Sequence, residues 1–319
     1  MILTVTLNAA IDRTVAVPNF RQGRRHRAVE GSTVAGGKGI NVARALKLLG
    51  RPVIATGLAG GPTGARLMER LAEESILTDF TWIGGESRTN LAVIDPTTNE
   101  QTEINERGPD VSNDELERFL EKLLYLARGA RICVIAGSLP PSVPAAFAGR
   151  MVAELKALGV ETVLDSEGEP LLAALRAQPA TVTPNASEAE GAVGHEFNDR
   201  DDYLMGIREL IELGANEAVI TRPEGCVASV LDGQEHRLFE VTAPALEPVA
   251  AVGSGDAFLA GFVASRFEHA DPEQCLRFAV ACGAESTQHF GAGTIDPDEV
   301  QRLAERVEVS RLEPTAAVR

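Results

Sequence analysis

The sequence predicts an α/β fold: a mainly parallel central sheet flanked by helices on both faces, with a small second sheet standing off it as a lid. Three observations carry this. Short β-branched runs alternate with longer amphipathic segments over most of the chain, the signature of strands covered by crossover helices. Two stretches, 12–35 and 88–106, break that rhythm with period-two alternation around Gly or Asx turns and no helix between, so they read as hairpins. The 319 residues suffice for one large core with a small appendage.

Taken in order, ILTVTL (2–7) opens the chain as a strand, and INVARALKLLG (40–50) is an amphipathic helix ending at a glycine. PVIATGL (52–58), ICVIAG (132–137), ETVLD (161–165), ATVTP (180–184) and EAVIT (217–221) are further β-rich runs. Between them, ARLMERLAEES (65–75), DELERFLEKLLYLA (114–127) and AAFAGRMVAELKALG (145–159) repeat apolar residues at helical spacing. Residues 254–307 read as mostly helical, and the terminal EPTAAVR as frayed. The expected partition is a core of 1–11, 36–87 and 107–310, with 12–35 and 88–106 as a β lid. Such a lid would cover the C-terminal ends of the strands, where open α/β sheets bind ligands.

The formal net charge of −16 argues against non-specific nucleic-acid binding. No apolar stretch reaches membrane-spanning length, and MILTVTLNAA lacks the basic start and cleavage site of a signal peptide; a cytoplasmic location is expected. Cys133, Cys226, Cys275 and Cys282 form no CxxC pair, so neither a disulfide nor a zinc site is expected.

Two glycine-rich segments stand out. In VGSGDAF (252–258), Asp256 follows a Gly-Ser-Gly turn and precedes an apolar helical run. The backbone N–H groups of Gly253, Ser254 and Gly255 would lie at a helix N-terminus, where anions bind. Alone, the pattern fits either an N-capping aspartate or a base beside an anion hole. In VAGGKGINVARALKLLG (34–50), glycines surround Lys38 just before a helix. This is not a Walker loop, because no GK in the chain precedes Ser or Thr, and it is a poor dinucleotide fingerprint.

Together, AGGKGINVARALKLLG and AVGSGDAFLAGF resemble the two signature segments of the PfkB, or ribokinase-like, family of carbohydrate kinases. TLNAAIDRT (6–14), GSLPP (137–141), LDSEGEPL (164–171) and PNASE (184–188) fall in the family's order, so the resemblance covers nearly the whole chain. Within the family, TLN-AID, GGKGINV, EIN-GP and VGSGD resemble the branch acting on sugar phosphates, which holds the 1-phosphofructokinases, tagatose-6-phosphate kinases and a minor 6-phosphofructokinase type.

The resemblance implies a three-layer ribokinase-like sandwich with a β lid, members being often homodimers joined through those lids. It implies magnesium-dependent transfer of the ATP γ-phosphoryl group to a ketohexose phosphate: fructose 1-phosphate, tagatose 6-phosphate or fructose 6-phosphate. Asp256 matches the family's base, with Gly253, Ser254 and Gly255 supplying the anion hole. Asp12 and Asn41 would hold sugar hydroxyls. Gly37 and Lys38, with Arg88 and Ser138, would meet the acceptor and its phosphate, to which Arg27 is a further candidate. Asn185 and Glu188 match an N-x-x-E element that organises Mg2+ through water. Thr221, Arg222 and Gly225 fall in the nucleotide loop.

Two departures concern that nucleotide side. Thr183 stands where the family has lysine, and TRPEGCV (221–227) replaces a glycine-rich loop with a proline that fixes φ and lacks N–H. Arg222 is a candidate to restore the missing charge. The alternative consistent with an altered nucleotide side is a non-catalytic sugar-phosphate sensor on the same fold.

Overall fold

The β-branched runs pair side by side because each is apolar on both faces, and burying both faces requires a helix layer above and below. The computed structural model describes residues 1–98, 100–250 and 252–313. The first half of the chain lays down β1 (Ile2–Thr6), β2 (Ala10–Ala16), β3 (Glu30–Gly36), α1 (Lys38–Leu48), β4 (Val53–Gly60), α2 (Gly61–Glu73), β5 (Leu77–Thr78), β6 (Thr81–Ile83), β7 (Arg88–Asp95), β8 (Glu100–Asn105) and α3 (Asn113–Ala127). There follow β9 (Ile132–Ala136), α4 (Ala146–Ala157), β10 (Glu161–Asp165), α5 (Gly168–Leu175), β11 (Thr181–Val182), α6 (Ala186–Val193) and α7 (Arg200–Glu212). The last part contains β12 (Glu217–Arg222), β13 (Gly225–Asp232), β14 (Glu235–Thr242), α8 (Ser254–Phe267), α9 (Pro272–Ser286), α10 (Pro297–Ala304) and β15 (Glu308–Leu312).

The central sheet runs β15-β14-β13-β12-β11-β10-β9-β1-β4-β5, with β6 also on β4. It is parallel from β12 to β5 and antiparallel from β12 outward to β15. Strand alternation splits the core in two. Ile2, Ile132 and Val134 face α1, α2, α8, α9 and α10, whereas Leu3, Val5, Cys133 and Ile135 face α3, α4, α5 and α7. Phe119 of α3 is fully buried in the second cluster. Phe119→Ala leaves a cavity there and is expected to cost about 3–5 kcal/mol, read as a lower urea midpoint.

The hairpins predicted over 12–35 and 88–106 are β2–β3 and β7–β8, and they join as β3-β2-β7-β8. The seam is the parallel pairing of β2 with β7, which sets Asp12 beside Asn90. This second sheet springs directly from β1, and Ile11 and Ala35 anchor its base in the core.

Three readings need correction. ATVTP pairs only at Thr181 and Val182, because Pro184 has no N–H to continue a ladder. The helix placed at 65–75 starts at Gly61 with Pro62 in its first turn, a favoured place for proline. TRPEGCV is no open loop: Arg222 pairs with Gly225 across a two-residue turn, so β12, β13 and β14 form a continuous antiparallel meander.

Candidate active site

The parallel strands end together, and the loops leaving them bring distant residues to one rim. Asn8 follows β1, Gly137 and Ser138 follow β9, and Asp165 closes β10. Above that rim sit the first turns of α1 and α8.

Gly253 precedes α8 with φ +84°, a left-handed conformation, and a side chain on it would run into Ala292. No side chain caps the helix, and a Cβ on Gly255 would meet nothing within 4 Å. The α8 N-terminus is therefore open and polar, suited to an anion. Asp256 lies on this first turn and is buried. Asn41 Nδ2 donates to its Oδ2 at 2.8 Å. The Asn41 amide is held in that sense by Arg44, whose Nη1 donates to Asn41 Oδ1 at 2.9 Å and to the Ala292 carbonyl at 2.9 Å. Burial pushes the Asp256 carboxyl up to about 7, and neighbouring Asp165 adds to this; the Asn41 hydrogen bond, Lys38 and Arg44 pull the other way. A carboxylate so tuned can take a proton from a hydroxyl near neutral pH.

Gly37 caps α1, and Lys38 begins it. Lys38 Nζ donates to Asp165 Oδ1 at 2.9 Å and to Glu188 Oε1 at 3.2 Å. Burial works against the ammonium, but the two carboxylates more than offset it, so Lys38 stays protonated. The structure thus places Lys38 between two acids, beside Gly137, and its charge is compensated there.

Asn185 and Glu188 form a reciprocal capping box at the start of α6: the Asn185 N–H donates to Glu188 Oε2 and the Glu188 N–H to Asn185 Oδ1, each at 2.9 Å. A bridge to Thr221 ties this turn to β12. Among the described residues no cluster of three or more His, Cys, Asp or Glu side chains is arranged to hold a metal. Two carboxylates, Asp165 and Glu188, gathered on one lysine suit a hard cation that keeps most of its water. Arg222 Nη2 donates to Glu240 at 2.6 Å, a carboxylate shared with Arg200, and the guanidinium lies 5.1 Å over the Tyr203 ring. Gly225 faces the carbonyl of Val241 too closely for any side chain. Thr183 is buried and its hydroxyl turns back to the Leu164 carbonyl.

On the second sheet, Asn90 Nδ2 donates to Asp12 Oδ1 at 2.8 Å. Gly36 across the hairpin is required by this approach, because a Cβ there would fall inside the Asp12 carboxylate. Burial pushes the Asp12 carboxyl up, against the Asn90 bond and the charge of Arg88. Arg88 Nε donates to the Asn8 carbonyl at 3.0 Å and Nη1 to the Glu106 carbonyl at 3.1 Å. Asn8 Nδ2 donates to Ser138 Oγ at 3.2 Å. Asn8 Oδ1 and Asn90 Oδ1 are buried without a partner among the described residues. Arg24, Arg25 and Arg27 are exposed in the β2–β3 connection.

Asp256, Asn41 and Arg44 form one hydrogen-bonded group, and Lys38, Asp165 and Glu188 a second that acts on Asp256 through charge; Asp12–Asn90 and Arg88–Asn8–Ser138 are likewise coupled through the charges of Arg88 and Asp12. Asn8, Arg44 and Asp165 lie within the segments that carry the family resemblance but receive no role there, and Asn90 lies outside them; Asn8 and Asp165 also carry a positional signal, since they sit at the C-terminal ends of the parallel strands β1 and β10.

The chain matches the pfkB family of carbohydrate kinases over residues 3–299. It is 34% identical over 311 residues to a protein of Xanthomonas campestris pv. campestris named 1-phosphofructokinase, covering 96% of each chain. Identity to the Bacillus subtilis 1-phosphofructokinase is 33%, over 98% of this chain and 100% of that one. Escherichia coli phosphofructokinase-2 in complex with potassium superposes with a TM-score of 0.89 at 29% identity, over 96% of this chain and 98% of that one. Structures of the same bacterial protein have been determined with fructose-6-phosphate (TM-score 0.86) and as a tetrameric inhibited form (TM-score 0.87). The three-layer sandwich with its second sheet is the ribokinase-like fold, shared with Arabidopsis thaliana ribokinase (TM-score 0.74 over 95% of this chain and 98% of that one, 21% identity). The chain belongs to the pfkB family of carbohydrate kinases, phosphotransferases with an alcohol group as acceptor.

Proposed function

We propose that the protein is an ATP-dependent 1-phosphofructokinase-like enzyme that phosphorylates a hydroxyl of a ketohexose phosphate, with fructose 1-phosphate the first acceptor to test. The observation that carries this is the buried Asp256 carboxylate on the uncapped first turn of α8, held by Asn41. The acceptor identity rests on the curated relatives, which are named 1-phosphofructokinase.

Asp12, Asn90 and Asn41 offer the paired acceptors and donors that bind sugar hydroxyls, and the unpartnered Asn8 and Asn90 oxygens leave further acceptor capacity in that corner. Arg88 and Ser138 meet at Asn8 and supply the donors for the phosphate already on the sugar. Asp256 takes the hydroxyl proton as that oxygen attacks phosphorus. The amides of Gly253, Ser254 and Gly255 face the charge on the transferring group. Asn185 and Glu188, with Asp165, would hold Mg2+ through water on the nucleotide side, where Thr221 and Gly225 shape the wall. Bound Mg2+-ATP supplies the phosphoryl group and neutralises its charge. Two copies would join through the second sheet, whose Val34 and Ile104, with Val29 just before β3, are exposed.

A coupled ADP-release assay across fructose 1-phosphate, tagatose 6-phosphate and fructose 6-phosphate tests the reading; turnover no higher than that of Asp256→Asn on all three would refute it. Because the base must be ionised, kcat/KM should climb with pH through about 7, the value to which burial raises Asp256, and flatten above it. A profile already flat at pH 5 would separate the rate from this carboxyl. Arg222 is compensated by Glu240 rather than free for phosphate, so Arg222→Ala should change the apparent ATP constant by less than about two-fold. A ten-fold rise would restore Arg222 to the nucleotide site.

A further inference from the structure

The face of the second sheet turned away from Asp12 carries a separate cleft. Strand alternation puts Asp12 and Asn90 on one face and their neighbours Arg13 and Thr89 on the other. There, Arg13, Thr33, Ser32 and Thr89 meet Thr63 and Arg66 of α2 around a cavity of about 560 Å³. The volume is that of a small-molecule site. No acidic side chain lines it, although the chain carries a net charge of −16.

Among the described residues, neither the Arg13 nor the Arg66 side chain has an ion pair or hydrogen bond, whereas the side chains of Arg44, Arg70, Arg88, Arg222 and Arg266 are all engaged. Two unpaired guanidiniums lining one concave site make it locally cationic within an acidic protein, which favours an anion there. Glu86, in the β6–β7 connection, accepts from the Thr63 N–H at 2.7 Å and from the Thr63 hydroxyl. The α2 amides are therefore not what makes this site; the arginines with the Thr33 and Thr89 hydroxyls are.

We propose that this cleft is a second anion site, distinct from the catalytic rim, that takes a phosphate-bearing small molecule. Guanidiniums grip phosphate oxygens in paired hydrogen bonds, and the hydroxyls of Thr33 and Thr89 serve its remaining oxygens and attached hydroxyls. The cavity is large enough for a sugar phosphate or a mononucleotide.

The test is equilibrium dialysis of the full-length protein with inorganic phosphate as probe, comparing wild type with Arg13→Ala/Arg66→Ala and with the single Arg66→Glu. Arg66 is exposed on a helix surface, so the single variant keeps the test valid if the double variant fails to fold. The expected result is loss of one bound phosphate per chain in both variants, with sedimentation and basal turnover unchanged. Equal phosphate stoichiometry in wild type and Arg66→Glu would overturn the proposal. A sedimentation coefficient that drops in the variants without any loss of bound phosphate would also overturn it, assigning the arginines to a protein partner instead.

Discussion

Asp256→Asn should abolish most of the activity and yet make the protein more stable above neutral pH. The amide keeps the shape of the carboxyl and still accepts from Asn41, so substrate binding and fold remain. What disappears is the base, and kcat should fall by about 10²–10⁴-fold. The stability gain follows from linkage. Folding raises the Asp256 carboxyl from 3.8 to about 7, so the folded chain holds this proton more tightly than the unfolded one. Its contribution is fully present below pH 3.8 and is lost as pH rises through about 7. Ionised Asp256 then costs the folded state on the order of 4 kcal/mol at most, and relaxation around the site reduces that to about 1–4 kcal/mol. Urea unfolding at pH 8.5 should show the variant more stable by that amount, the gap should open as pH rises from 3.8 to about 7, and unfolding below pH 3.8 should show almost no difference. A variant with more than a tenth of wild-type kcat would remove Asp256 from the chemistry. Equal stabilities at both pH values would show that the carboxyl is not held up by burial.

Much of this site was legible before any coordinates because its chemistry is concentrated in contiguous segments. Asp256 and its glycines occupy four successive positions, Asn185 and Glu188 one helical turn, and Lys38 and Asn41 another. Each local segment carries its own backbone requirement, which sequence displays. Residues contributed by pairing were not legible. Asn90 reaches Asp12 only through the parallel register of β2 and β7, and that register depends on two hairpins 78 positions apart meeting edge to edge. Lys38 is visible as a cation in a glycine loop, but its partners Asp165 and Glu188 lie 127 and 150 positions away. The same limit explains Arg222: a proline-containing stretch looks like a loop, and only the partner strand β14, which brings Glu240, shows it to be a tight hairpin with a compensated charge.

Lys38→Met should move the pH dependence of the reaction as well as its rate, because Lys38 and Asp165 act on Asp256 in opposite directions. Asp165 raises the Asp256 carboxyl and Lys38 lowers it. Removing the lysine leaves Asp165 and Glu188 buried without their cation, so the midpoint of kcat/KM should rise above 7. Asp165→Asn should lower it, and the double variant should return it toward the wild-type position. Stability should follow the same cycle. Burial already raises the Asp165 carboxyl in the wild type, and loss of Lys38 raises it further. A carboxyl raised in the folded state withdraws its stabilisation as pH rises, so the deficit of Lys38→Met should grow from pH 6 to pH 9. With the lysine side chain 39% exposed, solvent screening holds that deficit to about 1–3 kcal/mol rather than the full value of a broken buried pair. Adding Asp165→Asn should recover most of it, since the stranded charge is then gone, while kcat remains low. If instead the midpoint stays fixed in all three variants, the lysine and its acids are a structural clamp with no electrostatic hold on the base.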